Sequence, residues 1–135
     1  MRTRLSILAL MLALAATGVA SAQVLSRERG IGQLNNSGQV GYMMLYPRGS
    51  RTLVRIVLLG EPAGRVEPAH IHRGECPDID PVPAYPLNAV VNGHSLTLVN
   101  APIDKLMSGN YSINVHASPQ NIKHYVACGY LTPGS

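Results

Sequence analysis

The stretch Pro68-Ala69-His70-Ile71-His72-Arg73-Gly74-Glu75-Cys76 organises the rest of the chain. Successive side chains of an extended strand point to opposite faces, so His70 and His72 share one face while Ile71 points into a core. Two neighbouring imidazoles on one rigid wall can hold a metal ion. Two histidines at this spacing are equally typical of a surface pair. The stretch therefore predicts a strand, and by itself it does not decide whether a metal site is present.

Two later segments extend this pattern, Tyr111–His116 and Tyr125–Tyr130. The first is predicted as a strand with Tyr111, Ile113 and Val115 facing inward, and it ends on a third histidine. The second lies within the predicted last strand, Ile122–Leu131, and carries the only cysteine besides Cys76. Three neutral nitrogen ligands suit copper or zinc. The candidate ligands are His70, His72 and His116.

The N-terminus has the pattern of a secretory signal peptide over residues 1–22. Two arginines precede an apolar run over residues 5–16, and Ala20-Ser21-Ala22 fits the small-residue cleavage rule. The alternative is a membrane anchor, for which the apolar run is short. We therefore expect cleavage near Ala22 and a periplasmic or secreted protein with no membrane span after signal removal.

The remaining chain has the length of one small domain. Without the signal it carries nine Lys/Arg against seven Asp/Glu and no basic run, so nucleic acid is not an expected partner. Oxidising surroundings favour a Cys76–Cys128 disulfide, and a pair of metal thiolates is the alternative.

Turn signals divide this domain into short β segments. Residues 23–37 are expected to form an N-terminal arm or an edge strand. Arg51–Leu59 predicts a strand with Val54, Ile56 and Leu58 on one face and Leu53, Arg55 and Val57 on the other. Asn92-Gly93 between apolar runs predicts a hairpin. Four prolines within residues 76–86 predict a long ordered loop. The pattern indicates an all-β antiparallel Greek-key sandwich or barrel.

These residues together resemble the copper/zinc superoxide dismutase family. The shared features are a His-x-His pair followed by a cysteine, a later Val-His, and an Ala-Cys-Gly near the C-terminus. The segment 106–116 also resembles the CHRD (chordin-type) domain. The resemblance covers roughly residues 38–132. It implies that residues 38–135 form a superoxide dismutase-like copper-binding β-barrel, with copper on His70, His72 and His116 and a Cys76–Cys128 bridge.

The chain departs from that family around the metal. The stretch after Cys76 lacks the metal-bridging histidine and offers only Asp78 and Asp80, so no zinc is expected. Tyr125 occupies the position of the substrate-guiding arginine, and Lys123 is a displaced substitute. The family's fourth copper ligand is missing, and His124 is the candidate replacement.

The expected function is therefore an exported protein that binds one copper for buffering, transfer or tolerance, served by a periplasmic copper donor or acceptor protein. The alternative is a copper-only superoxide dismutase, an oxidoreductase. A metal-free scaffold is a third hypothesis, against which the three retained ligands argue.

Overall fold

The computed structural model describes residues 26–132, so the expected signal peptide lies outside the described part. Within it, no helix is long and apolar enough to cross a membrane. A short helix, α1, spans Ile103–Ser108, and a 3-10 turn spans Pro119–Asn121. The strands are β1 (Arg27–Gln33), β2 (Val40–Arg48), β3 (Arg51–Leu59), β4 (Val66–Glu67), β5 (Ala69–Glu75), β6 (Asp78–Pro86), β7 (Val90–Val91), β8 (His94–Val99), β9 (Tyr111–His116) and β10 (Tyr125–Tyr130).

These strands form one antiparallel sheet that curls on itself, in agreement with the predicted all-β class. The hydrogen-bonded order is β4-β7-β8-β3-β2-β1-β10-β9-β5-β6. β4 ends this order and β5 lies next to its other end, yet only Pro68 separates them along the chain. The sheet therefore bends until its two ends approach each other at that residue. The Pro68 carbonyl oxygen accepts a hydrogen bond of 2.8 Å from the backbone N–H of His116.

The concave face of the sheet holds the core. The alternation predicted for β3 is confirmed, because Val54, Ile56 and Leu58 are buried and the residues between them are not. Ile71 of β5 and Ile113 of β9 are fully buried in the same cluster. Removing each such side chain from water stabilises the fold by roughly 1.5–3 kcal/mol. The residues that alternate with Ile71 along β5 and with Ile113 along β9 therefore face away from the core.

The predicted hairpin at Asn92-Gly93 connects β7 to β8. Both residues have positive φ, 51° and 75°, as the tight two-residue turn requires. A Cβ atom at Gly93 would lie 2.5 Å from the carbonyl oxygen of Leu58. Glycine is therefore required here by the turn and by the close approach of β3.

The structure corrects the loop predicted for residues 76–86, most of which form strand β6. β6 is the last strand of the sheet order and pairs only with β5. Proline has no N–H to donate, but this matters little on an edge strand that has a partner on one side only. The pairing of β6 with β5 is also irregular, with register shifts on both sides of His72. The prolines exclude this segment from the sheet interior and not from its edge.

The structure also places the N-terminal segment differently from either expectation. β1 pairs with β2 through residues 27–31 and with β10 through Gly32 and Gln33. It is therefore an interior strand that joins the half of the sheet around β3 to the half containing β5, β9 and β10. A regular apolar alternation is missing from this segment, and only Ile31 is buried.

Candidate metal centre

Three histidines converge on the convex side of the sheet. His70 and His72 lie on β5, and His116 is the last residue of the neighbouring strand β9. Because Ile71, Ile113 and Val115 point into the core, the alternate residues on these strands point away from it. The predicted pair on one face is thus confirmed, and strand pairing brings the third histidine beside it.

The ring nitrogens of these histidines are close enough to share one ion. One nitrogen from each residue lies within 4.8 Å of the other two. The His70 Nδ1 and His116 Nε2 atoms are 3.0 Å apart, so one of them carries the proton that the other accepts. The ring centroids are separated by 5.6 Å for His70–His72, 4.9 Å for His70–His116 and 6.0 Å for His72–His116.

Backbone carbonyl groups orient two of the three rings. The Nδ1 of His72 donates a hydrogen bond of 2.8 Å to the Asp80 carbonyl oxygen on β6. The Nδ1 of His116 donates to the Ile122 carbonyl oxygen, just beyond the 3-10 turn. Holding the proton on Nδ1 leaves Nε2 as the lone-pair nitrogen of both rings, which is how outer hydrogen bonds set a ligand's tautomer. His70 faces the cluster with Nδ1 instead.

Burial favours the neutral, metal-binding form of the His70 and His116 imidazoles. His72 and His116 are almost fully buried, and His70 is half-buried. Burial, together with the neighbouring histidines, lowers the pKa of His70 below its usual value. Burial also lowers the pKa of His116, against the opposing effect of its hydrogen bond to Ile122. Neutral imidazole is the ligand form, so little proton competition remains at neutral pH.

The cluster leaves one buried ring nitrogen without a partner among the described residues. The Nε2 of His72 is buried and has no hydrogen-bond partner in the described part of the chain. An unpaired buried acceptor costs free energy, and a cation at the centre of the cluster would give it a partner. Three neutral nitrogens at this separation are a donor set for a borderline transition-metal ion.

The disulfide expected between Cys76 and Cys128 is present. It connects the turn between β5 and β6 to β10. In the sheet order, β9 lies between β5 and β10. The disulfide thereby fixes the start of β6, the strand whose Asp80 carbonyl orients His72. The thiolate alternative is wrong because both sulfurs are used in the bridge.

The structure does not bring the candidate fourth ligand His124 to the cluster. His124 is exposed and precedes β10, and its backbone pairs with Ala117 and Asn121. The residue beside His116 is instead Tyr125, whose ring packs edge-on with centroids 5.1 Å apart. His94, the other histidine of the domain, is exposed at the hairpin on β8.

Glu67 directly precedes Pro68 and the histidine strand, but it is neither exposed to solvent nor an observed hydrogen-bond acceptor for a histidine of the cluster. It is fully buried on the core side of β4 and accepts a hydrogen bond of 2.8 Å from Gln39 Nε2. The acceptors for His72 and His116 are main-chain oxygens, which every residue has. No residue type in the sequence signals them.

Asn114 is the residue at this centre that sequence reasoning missed. It is fully buried on β9, directly opposite His70 of β5 and two residues before His116. Its position on the outward face followed from the alternation of β9, but an amide is not among the residue types that signal a transition-metal site.

Comparison of the chain with protein-family models, with curated proteins and with solved structures finds no match.

Proposed function

We propose that this chain is an exported copper-binding protein of superoxide dismutase-like, Greek-key fold. One copper is held by His70, His72 and His116, and the protein buffers the ion or passes it to a periplasmic partner. The observation that carries the proposal is the convergence of three ring nitrogens within 4.8 Å of one another. The sequence pattern of a signal peptide supports export.

The donor set favours copper over the other common divalent ions. Imidazole nitrogen binds Cu(II) more tightly than Zn(II) in the Irving–Williams order, whereas calcium and magnesium take oxygen ligands. The two aspartates of β6 do not add to the set: Asp78 and Asp80 are exposed, and Asp80 Oδ1 accepts from the Val82 N–H. One copper and no zinc per chain is the stoichiometry that we propose.

The residues of the chain supply binding, orientation and access. His72 and His116 are held rigidly by the Asp80 and Ile122 carbonyl groups, and both are buried. His70 is half-buried and the least buried ring of the cluster, so we expect an ion to enter or leave past it. A site that is rigid on two sides and open on the third suits an ion that is bound tightly and then transferred.

The open side also supports the alternative function, a copper-only superoxide dismutase. Copper would supply the redox chemistry when bound, and a small anion needs an accessible face of the site. The half-buried His70 is the observation that favours this reading. The same opening serves copper transfer, so a direct assay has to separate the two functions.

Metal analysis tests the proposal. Protein purified from the periplasm should contain about one copper per chain, and the metal-free protein should take up Cu(II) in preference to Zn(II) in competition. His116→Ala should remove this binding, and His94→Ala is the matched control because His94 is exposed on the distant strand β8. Protein that binds no copper, or that binds zinc at a second site with one-to-one stoichiometry, would refute the proposal.

A further inference from the structure

Asn114 is a fully buried amide without a hydrogen-bond partner. Its relative exposure is 0%, and neither Oδ1 nor Nδ2 has a partner in the described residues. Buried amides are almost always hydrogen-bonded, because leaving one unpaired costs free energy. An unpaired amide of this kind needs an explanation in terms of what it binds.

Strand pairing places Asn114 on the floor of the three-histidine cluster. It pairs directly with His70 across β5 and β9, and it precedes His116 by two residues on the same face. His72 pairs with Ser112, so it lies diagonally across from Asn114. The three imidazoles are thus its neighbours on the convex face. On the other side, Asn114 pairs with Cys128 of β10, whose sulfur is in the disulfide.

Ser112 shows that a polar residue on this face can be satisfied by the protein itself. It is as deeply buried as Asn114 and lies two residues earlier on β9. Its Oγ donates a hydrogen bond of 2.8 Å to the Gly74 carbonyl oxygen. The unpaired state is therefore a property of the position of Asn114 next to the histidines, and not of the face as a whole.

We propose that the Oδ1 atom of Asn114 is a fourth, weak ligand that reaches the copper from the floor of the cluster. This inference rests on the proposed copper binding. A copper ion with nitrogen ligands accepts additional weak oxygen donors. An amide oxygen adds no charge, so the metal-free protein does not have to bury an unpaired carboxylate there.

The test compares Asn114→Leu with Ser112→Ala in two measurements, the melting temperature of the metal-free protein and its Cu(II) affinity. Asn114→Leu replaces an unpaired amide with an apolar group of similar size, so the metal-free protein should melt a few degrees higher. Its Cu(II) affinity should fall about tenfold, and the Cu(II) electron paramagnetic resonance spectrum should change. Ser112→Ala removes a made hydrogen bond and should melt lower, with the affinity and spectrum of the native protein.

A second variant keeps an oxygen at the same place. Asn114→Asp should bind Cu(II) at least as tightly as the native protein while lowering the melting temperature of the metal-free form. Native-like copper affinity and spectrum in Asn114→Leu would overturn the inference while leaving copper binding intact, and so would an Asn114→Asp variant that binds as weakly as Asn114→Leu. Failure of the native protein itself to bind Cu(II) would instead overturn the proposed function, and the inference with it.

Discussion

The Nδ1 of His72 on β5 lies 2.8 Å from the backbone carbonyl oxygen of Asp80 on β6. This bond makes the edge strand part of the candidate metal centre, because it selects the ring nitrogen that His72 presents to the cluster. β6 pairs with the rest of the sheet on one side only. Its position therefore depends on the pairing with β5 and on the disulfide that ties its start to β10.

We predict that breaking the Cys76–Cys128 bridge weakens metal binding as well as the fold. Cys76→Ser with Cys128→Ser should lower the free energy of unfolding by roughly 2–5 kcal/mol. It should also reduce Cu(II) affinity, since β6 becomes free to withdraw the Asp80 carbonyl from His72. Urea unfolding and copper titration measure the two effects.

A matched control separates the loss of stability from the loss of β6 position. Ile56 is buried on β3, in the other half of the sheet. Ile56→Ala should cost a similar roughly 2–5 kcal/mol and leave Cu(II) affinity unchanged. Equal losses of affinity in both variants would show that the disulfide acts only through global stability.

We predict that the three histidines are unequal ligands. His72→Ala and His116→Ala should abolish tight Cu(II) binding, because both rings are buried and oriented by carbonyl groups. His70→Ala should leave weaker binding, since water can reach the position of this half-buried ring. Isothermal titration of each metal-free variant measures the difference.

The control for this series is His124→Ala, which the structure keeps outside the cluster. Its Cu(II) affinity should equal that of the native protein. A loss of affinity comparable to that in His116→Ala would mean that the segment before β10 closes over the ion, and the geometry described for the metal-free chain would then be incomplete.

The sequence predicts the strands of this domain better than it predicts which residues meet at the candidate metal centre. The alternation of β3 and the inward direction of Ile71 follow from local side-chain order, because a strand half-buried on a curled sheet must alternate. The meeting of His70 with His116 depends on β5 pairing with β9, at a separation of 46 residues. No local pattern states that pairing, although the sequence already groups these histidines as candidate ligands.

Other features could not be predicted from the sequence because they depend on contacts between residues far apart in the chain. The prolines of β6 predict a loop unless the strand is known to be at an edge, and β1 has too little apolar pattern to reveal that it lies inside the sheet. The burial of Glu67 and Asn114 contradicts what their residue types predict. Such exceptions are expected where function or strain outweighs local preference.

We predict that Glu67 makes stability fall as the pH rises. Burial, and secondarily the nearby Glu61, raise the pKa of Glu67, while the Gln39 hydrogen bond and Arg65 oppose the shift. Glu67 Oε2 and Gln39 Oε1 are both buried acceptors without a partner in the described residues, and a proton on Glu67 provides a donor. Since the folded state holds this proton more tightly than the unfolded state, its contribution is complete below the ordinary value of 4.5 and is lost as the pH rises through the raised pKa.

Glu67→Gln isolates this effect. The variant cannot ionise, so the free energy of unfolding of the native protein minus that of Glu67→Gln should decline from mildly acidic to neutral pH. The lowered pKa values of His70 and His116 act in the opposite direction, but they contribute equally to both proteins and cancel in the difference. A difference that does not vary with pH, measured by urea unfolding of the metal-free proteins, would show that Glu67 titrates normally.

The last prediction is that the copper-loaded protein dismutates superoxide far more slowly than a steered enzyme would. Fast capture of a small anion requires a positive potential at the mouth of the site. The ring beside His116 is the uncharged Tyr125, and without the expected signal peptide basic residues outnumber acidic ones by only two. Tyr125→Arg should accelerate capture at low salt, with a salt dependence that the native protein lacks, but one added charge should not bring the rate near the diffusion limit. Pulse radiolysis at several ionic strengths measures this, and a native rate near that limit that falls with added salt would establish the enzyme instead of the carrier.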